Sequence, residues 1–261
     1  MGTNLNNMKK SIFGLITTAL FLNFLLTLNS CSKTDEPNQL DSKTLKLLSL
    51  DAKKLGEEHN NTLRKLANAT TTQKKTKSAS RIAYTEEQIY ADLLASDIAL
   101  EQNIKIDVYN YIDNNSDVDS NMISVSNSLT SQGAKELYLS INNQLDSSVD
   151  YSSIINVLDS NLEIVENSNY NEFDKQVFRI FIETSKASAY YWYIENEDTG
   201  NRNNKILARG TPTWVRKDGN GIAQASIGWA VVAAFSSGPA APATYFLSCA
   251  VGGALASIWP D

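Results

Sequence analysis

Residues 219–260 read GNGIAQASIGWAVVAAFSSGPAAPATYFLSCAVGGALASIWP and contain no charged side chain. The run SGPAAP at 237–242 divides this stretch, because proline cannot continue a helix interior and glycine readily ends a helix. We therefore predict two apolar helices, one within 222–236 and one within 243–259, joined as a hairpin. A helix that is apolar on all sides must be covered by other apolar surface, so the next question is what covers this hairpin.

Small residues recur at every fourth position of both predicted helices. This spacing places a flat ridge along each helix and allows the two backbones to approach closely. The ridge residues are Ser226, Ala230, Ala234, Gly238, Ser248, Gly252 and Ala256. In composition, the hairpin resembles the glycine-zipper segments of some bacteriocins and pore-forming toxins.

Three interpretations of the C-terminal segment 219–261, which is uncharged up to Pro260, follow. It forms the buried part of the fold, it inserts into a bilayer, or it is a packing face for another protein. Each predicted helix is shorter than the roughly 20 residues that usually span a membrane, which favours burial.

The sequence upstream predicts a helical bundle over residues 43–196, followed by a connecting loop at 197–218. Apolar residues recur there at three- and four-residue steps, and short polar segments separate the patterns. Only residues 205–216 suggest strands, as a small β-hairpin around Gly210. The fold class expected is therefore all-α, a helical bundle with a C-terminal Gly/Ala-rich helical hairpin. The predicted helices span about 42–68, 85–105, 131–146, 150–165 and 171–192.

The N-terminus has the pattern of an export signal. Lys9 and Lys10 precede an apolar stretch from Ile12 to Leu28, which ends in the sequence Leu-Asn-Ser-Cys at 28–31. A basic start, a short apolar core and a small residue before the cleavage point are typical of signal peptides. An uncleaved helical anchor is the alternative.

The cysteine at this position makes residues 1–30 resemble a bacterial lipoprotein signal peptide. The polar segment 31–42, which begins Cys-Ser-Lys-Thr-Asp-Glu, is similar to the tether of Bacteroidetes surface lipoproteins. The resemblance implies lipidation of Cys31, with palmitate among the acyl chains, and attachment to the membrane through that lipid. It also implies a location in the outer membrane of the cell envelope, where such lipoproteins can be exposed at the cell surface.

Composition excludes several classes of protein. A net charge of −6 argues against nucleic acid as a partner. The chain has one histidine and two cysteines, too few for a His-rich zinc site or a disulfide framework, so no metal and no cofactor are expected. Cys249 lies among apolar residues and is expected to be a buried, unreactive thiol.

The single histidine, His59, falls on the apolar face of the first predicted helix. It is either a core histidine with a hydrogen-bond partner or a buried functional imidazole. We find no motif for nucleophilic, phosphate-binding or dinucleotide chemistry, and we assign no catalytic residue. The function expected is non-enzymatic, an interaction or structural role at the cell envelope. The alternatives are a membrane-active, toxin-like protein that inserts its C-terminal hairpin, and an envelope enzyme.

Overall fold

The computed structural model describes residues 41–73, 85–113, 118–148, 150–195, 211–235 and 241–258. Over these ranges the chain forms ten α-helices, one π-helical turn and no strand, so the predicted all-α bundle is confirmed. The helices are α1 (Ser42–Leu48), α2 (Ala52–Gln73), α3 (Glu86–Ala95), α4 (Gln102–Asp113), α5 (Val118–Ser128), α6 (Gln132–Asp146), α7 (Tyr151–Asn167), α8 (Glu172–Tyr190), α9 (Thr211–Phe235) and α10 (Ala241–Ile258), with the π-helical turn at Tyr191–Glu195 after α8.

Side chains of short polar residues begin six of these helices, Asp51 at the start of α2 among them. Each accepts a hydrogen bond from a backbone amide of the first helical turn, which has no partner within the helix. Thr85 and Gln88 form the reciprocal capping box that their spacing predicts. Asp150 and Ser153 form a second one at the start of α7. The remaining caps are Asp41 for α1, Ser131 for α6 and Asn171 for α8.

Two predicted helices are divided in the structure. The helix predicted over 42–68 is interrupted after Leu48, because the Asp51 side chain accepts from the amide of Lys54 and starts α2. The helix predicted over 85–105 ends at Ala95, where Ser96 adopts an extended backbone. The connection at 96–101 is fixed at its first residue by Lys105, whose Nζ donates to the Ser96 carbonyl at 2.8 Å.

The connection before the hairpin differs more strongly from the prediction. Helix α9 begins at Thr211, so residues 211–218 are helical and the β-hairpin predicted over 205–216 is wrong for its described part. Pro212 suits a first helical turn, where its missing N–H costs nothing. The sequence Asp-Gly-Asn-Gly at 218–221, which suggested a turn, lies inside α9.

Helix α9 lies at the centre of the bundle. It packs against α10 and α8, and also against α1, α5 and α6, while α2 and α4 cover α10. The described side chains of α9 from Val215 to Ser226 are mostly buried, and those of α10 are buried from Ser248 to Ile258. The uncharged stretch therefore supplies core, which is what the burial interpretation expects of these residues. None of the helices described here has the length and apolar character that a membrane crossing requires.

Glycines allow α9 and α10 to touch through their backbones. A Cβ on Gly221 would lie 2.7 Å from the Cβ of Ala256, and one on Gly253 would lie 2.8 Å from the Cβ of Ile222. Real Cβ atoms do not approach this closely, so both positions are restricted to glycine unless the helices separate. The ridge residue Gly252 faces Ala225 in the same interface.

Candidate functional site

His59 lies in the centre of the bundle, on the face of α2 that also buries Leu55, Leu63 and Leu66. Its side chain has no solvent exposure. Because His59 shares the buried face of α2 with these leucines, its imidazole lies inside the protein and needs hydrogen-bond partners there. It has them on two sides: Nδ1 lies 3.1 Å from Asn60 Oδ1, and Nε2 lies 3.2 Å from Ser257 Oγ on α10.

Asp218 on α9 supplies a carboxylate to the same cluster. Its Oδ2 accepts from Ser188 Oγ at 2.5 Å and from Trp192 Nε1 at 3.0 Å, and it lies 3.7 Å from His59 Nε2. Asp218 is fully buried, and its Oδ1 has no hydrogen-bond partner within the part of the chain that the structure describes. Three elements therefore meet at this carboxylate, α2, α8 with its π-helical turn, and α9, and α10 joins the cluster through the contact of Ser257 with His59.

The orientation of Asn60 indicates how the His59 ring is hydrogen-bonded. Asn60 Nδ2 donates to the Ala187 carbonyl at 2.8 Å, which leaves Oδ1 to face His59 Nδ1, so this nitrogen carries a proton. Ser257 Oγ donates to the Gly253 carbonyl at 2.9 Å, which leaves its oxygen to accept from Nε2. Both ring nitrogens thus face oxygen atoms of neighbouring side chains, and the Asp218 carboxylate lies beside Nε2.

The π-helical turn positions the indole of Trp192. Short π-helical insertions occur often at functional sites, because they shift a side chain out of α-helical register. Here the indole N–H reaches Asp218, and the ring packs against Trp214 at 4.8 Å and against Tyr191 at 5.0 Å between centroids. These aromatic rings cover one side of the buried carboxylate.

The cluster holds a hydroxyl, an imidazole and a carboxylate, but it does not have the geometry of a hydrolytic triad. In such a triad the carboxylate and the nucleophile bind opposite ring nitrogens. In this protein Ser257 and Asp218 both face Nε2, and Nδ1 is bound to an amide. Ser257, His59 and Asp218 are all fully buried, so the arrangement is suited to holding helices together rather than to reaching a substrate.

A second buried polar network lies on the other side of α9. Tyr138 Oη donates to Asn220 Oδ1 at 2.7 Å, and Asn220 Nδ2 donates to Asn142 Oδ1 at 2.7 Å. Asn142 in turn donates to the Tyr138 carbonyl. Burial raises the pKa of Tyr138 well above its ordinary value, so the phenol stays protonated as a donor. The network fixes the position of α9 against α6.

The residues singled out from the sequence are distributed over several places. His59 belongs to the buried cluster, and Ser226, Ser248, Gly252 and Ala256 are buried in or beside the α9–α10 interface. Ala230 and Ala234 lie in the last part of α9. Cys31 and Gly238 fall outside the described residues. Cys249 is buried, and burial raises the pKa of its thiol to about 12.

Sequence reasoning missed Asp218 and Ser257 as partners of His59. Asp218 falls at the end of the predicted connecting loop 197–218, although it lies four residues after Trp214 and four before Ile222. Treating 211–218 as helix would have placed an acidic residue on an apolar stripe, which is a signal for a buried pair.

Among the described residues, no group of three or more His, Cys, Asp or Glu side chains could hold a metal ion. Comparison with protein-family models, with curated proteins and with solved structures found no match for this chain. The function therefore has to be argued from the fold and its surfaces.

Proposed function

We propose that this protein is exported and lipid-anchored at Cys31, and that it has a non-enzymatic interaction or structural role at the cell envelope. The leader would hold it at the outer membrane, and the helical bundle would act outside the cytoplasm. The membrane contact is made by the lipid, and no nucleic acid is involved.

The burial of α10 carries this proposal. All described side chains from Ser248 to Ile258 are buried by α9, α2 and α4, so the uncharged stretch is used as core. In this proposal the predicted leader and its cysteine provide the membrane attachment. The first described helix is capped by Asp41, at the end of the predicted tether.

The geometry of the buried cluster supports the non-enzymatic part of the proposal. The three side chains that could form a hydrolytic site have no exposure, and their order around the imidazole is that of a structural cluster. A substitution at His59 is then expected to lower stability without removing an activity.

Labelling with a radioactive or alkyne-tagged fatty acid tests the anchor. In a bacterial host that processes lipoprotein precursors, the full chain should incorporate the label and fractionate with membranes. Cys31→Ala should abolish the label and leave a longer precursor, whereas Cys249→Ala should behave as the parent chain, because its thiol is buried. Unchanged labelling of Cys31→Ala would overturn the proposal.

Dye release from vesicles tests the toxin-like alternative. The folded full chain is expected to leave vesicles of anionic and neutral phospholipid intact at micromolar concentration, because its apolar helices are covered. Release of the dye by the folded protein would favour the insertion of the hairpin instead.

A further inference from the structure

A groove of about 470 Å³ runs between α2 and α8 on the surface of the bundle. This volume lies within the range of pockets that hold small organic ligands. Its walls are rich in charged side chains of both signs. The lining residues are Lys53, Glu57, Asn60, Asn61, Arg64, Glu183, Lys186, Ala187 and Tyr190.

The groove exists because the two helices touch closely at its floor. A Cβ on Gly56 would lie 3.0 Å from both the Cβ of Ala187 and the carbonyl oxygen of Glu183. Around this contact, longer side chains rise on both sides and form walls. Asn60 closes the floor, and both ends of its amide are already bound, to Ala187 and to His59. A ligand would therefore be recognised by the walls.

The wall from α8 carries charges that are already paired. Lys186 lies 2.6 Å from Asp159 and 3.1 Å from Glu183. The wall from α2 differs: Lys53 and Glu57 are exposed, and neither forms an ion pair with another residue of the described ranges. One positive and one negative group therefore stand about one helical turn apart on the same wall.

Arg64 extends this row of alternating charge. Its guanidinium donates to Asn61 Oδ1 at 2.6 Å and lies 5.9 Å from the Tyr191 ring, which fixes its direction. Along the helix axis, Glu57 is roughly 6 Å from Lys53 and roughly 10 Å from Arg64. Extended chains of two and three residues span roughly 7 and 10 Å. The spacing of the charges thus fits the two ends of a very short peptide.

We propose that this groove binds a di- or tripeptide with free ends. The ammonium group pairs with Glu57, and the carboxylate pairs with Lys53 for the shorter ligand or Arg64 for the longer one. Tyr190, which is 47% exposed at the end of the groove, offers a ring against which a peptide side chain packs. The proposal rests on the interaction role proposed above and gives that role a ligand.

Binding of Ala-Phe and Ala-Ala-Phe to the full chain in mild detergent tests the proposal, with calorimetry or ligand-observed NMR as the readout. The control ligands are the same peptides with an acetylated amino end or an amidated carboxyl end. Free peptides should bind, and each blocked peptide should bind about threefold or more weakly, which corresponds to the loss of an exposed ion pair. Equal binding of free and blocked peptides, or no binding at millimolar concentration, would overturn the proposal.

Matched variants locate the site. Glu57→Gln should weaken binding of the free peptides about threefold but leave binding of the acetylated peptides unchanged. Lys53→Met should weaken binding of the free dipeptide about threefold but leave binding of the amidated dipeptide unchanged. Glu58→Gln and Lys54→Met are the controls, because these neighbours have the same charges but do not line the groove. An equal effect of the control variants would contradict the site. The lipid-labelling assay does not depend on this groove, so the two proposals can fail separately.

Discussion

At the scale of single residues, the protein is notable for polar side chains buried among apolar helices. Two donors, Ser188 Oγ and Trp192 Nε1, converge on one oxygen of Asp218, and His59 Nε2 lies 3.7 Å from the same atom. Buried charges are costly to leave unpaired, so such a carboxylate contributes stability only together with its partners. Its removal would leave the Ser188 hydroxyl and the Trp192 indole N–H without the acceptor that they share.

Asp218→Ala is expected to lower the free energy of unfolding by about 3–5 kcal/mol, the usual cost of breaking a buried pair. Asp218→Asn keeps one acceptor and should cost about 1–3 kcal/mol. Urea denaturation followed by circular dichroism measures both. Asp107→Ala on α4 is the control, since this aspartate is exposed and its loss should change stability by about 0.5 kcal/mol or less. A similar effect for Asp218→Ala and Asp107→Ala would refute the buried cluster.

The buried thiol of Cys249 is expected to make the free energy of unfolding depend on pH in the alkaline range. Burial raises the pKa of its thiol from near 9 to about 12, so between these values the folded protein keeps a proton that the unfolded chain releases. The unfolded state binds fewer protons in this window, and stability therefore falls as pH rises.

For one thiol, the free energy of unfolding should fall by about 1.4 kcal/mol per pH unit from pH 9 upward. Cys249→Ala should show a decline that is shallower by that amount. Denaturation at pH 8, 9, 10 and 11 measures the difference. Burial also raises the pKa of Tyr111 to about 12 and that of Tyr245 well above its ordinary value, and both tyrosines are influenced by Cys249, so the comparison reports the thiol together with its effect on them. Parallel pH profiles of the two chains would contradict the prediction.

At the scale of the helices, the contact between α9 and α10 depends on glycine. Gly253→Ala adds a methyl group 2.8 Å from the Cβ of Ile222, so the helices must move apart. The expected loss of stability is about 1–3 kcal/mol, despite the better helix propensity of alanine.

Gly133→Ala is the matched control for this substitution. Gly133 is also helical, but a Cβ there would meet only Tyr170 at 3.6 Å, an ordinary contact. This variant should be neutral or more stable by up to about 1 kcal/mol. Thermal unfolding of both variants gives the comparison, and equal behaviour would show that the interface is not close-packed at Gly253.

The sequence predicts these elements unequally well. Helix starts with a short polar cap, such as Thr85 with Gln88, follow from local chemistry and are found in the structure. The beginning of α9 does not follow from local chemistry, because the residues around it are local signals for turns, namely Gly210, Pro212, Gly219 and Gly221. Tertiary packing overrides these signals. Gly219 and Gly221 lie within α9, at positions where the neighbouring helices leave no room for a side chain.

The candidate site shows the same limit. His59 is predicted to be buried because the leucines on its helix have a clear period. Its partners Asp218 and Ser257 come from helices more than 150 residues later in the chain, and no pattern within α2 indicates them. The groove also depends on which helices meet at Gly56, so its lining follows from the packing and not from a motif.

At the scale of the whole molecule, amphipathic helices enclose an uncharged hairpin. Removal of α10 should therefore leave α9, α2 and α4 without a core. We expect a chain truncated after Phe235 to lose the cooperative unfolding transition and to bind a hydrophobic dye, both measurable in solution. A cooperative transition in the truncated chain would mean that the bundle is independent of the hairpin.

The central claim is that the uncharged C-terminal stretch forms the core of a helical bundle in the folded protein. Amide hydrogen exchange over residues 245–258 tests it most directly, with the full chain in solution and with anionic vesicles added. We predict slow exchange in both conditions, because opening these amides requires disruption of the core. Fast exchange in solution that becomes slow only with vesicles would contradict the claim and would show that the hairpin is completed by a membrane.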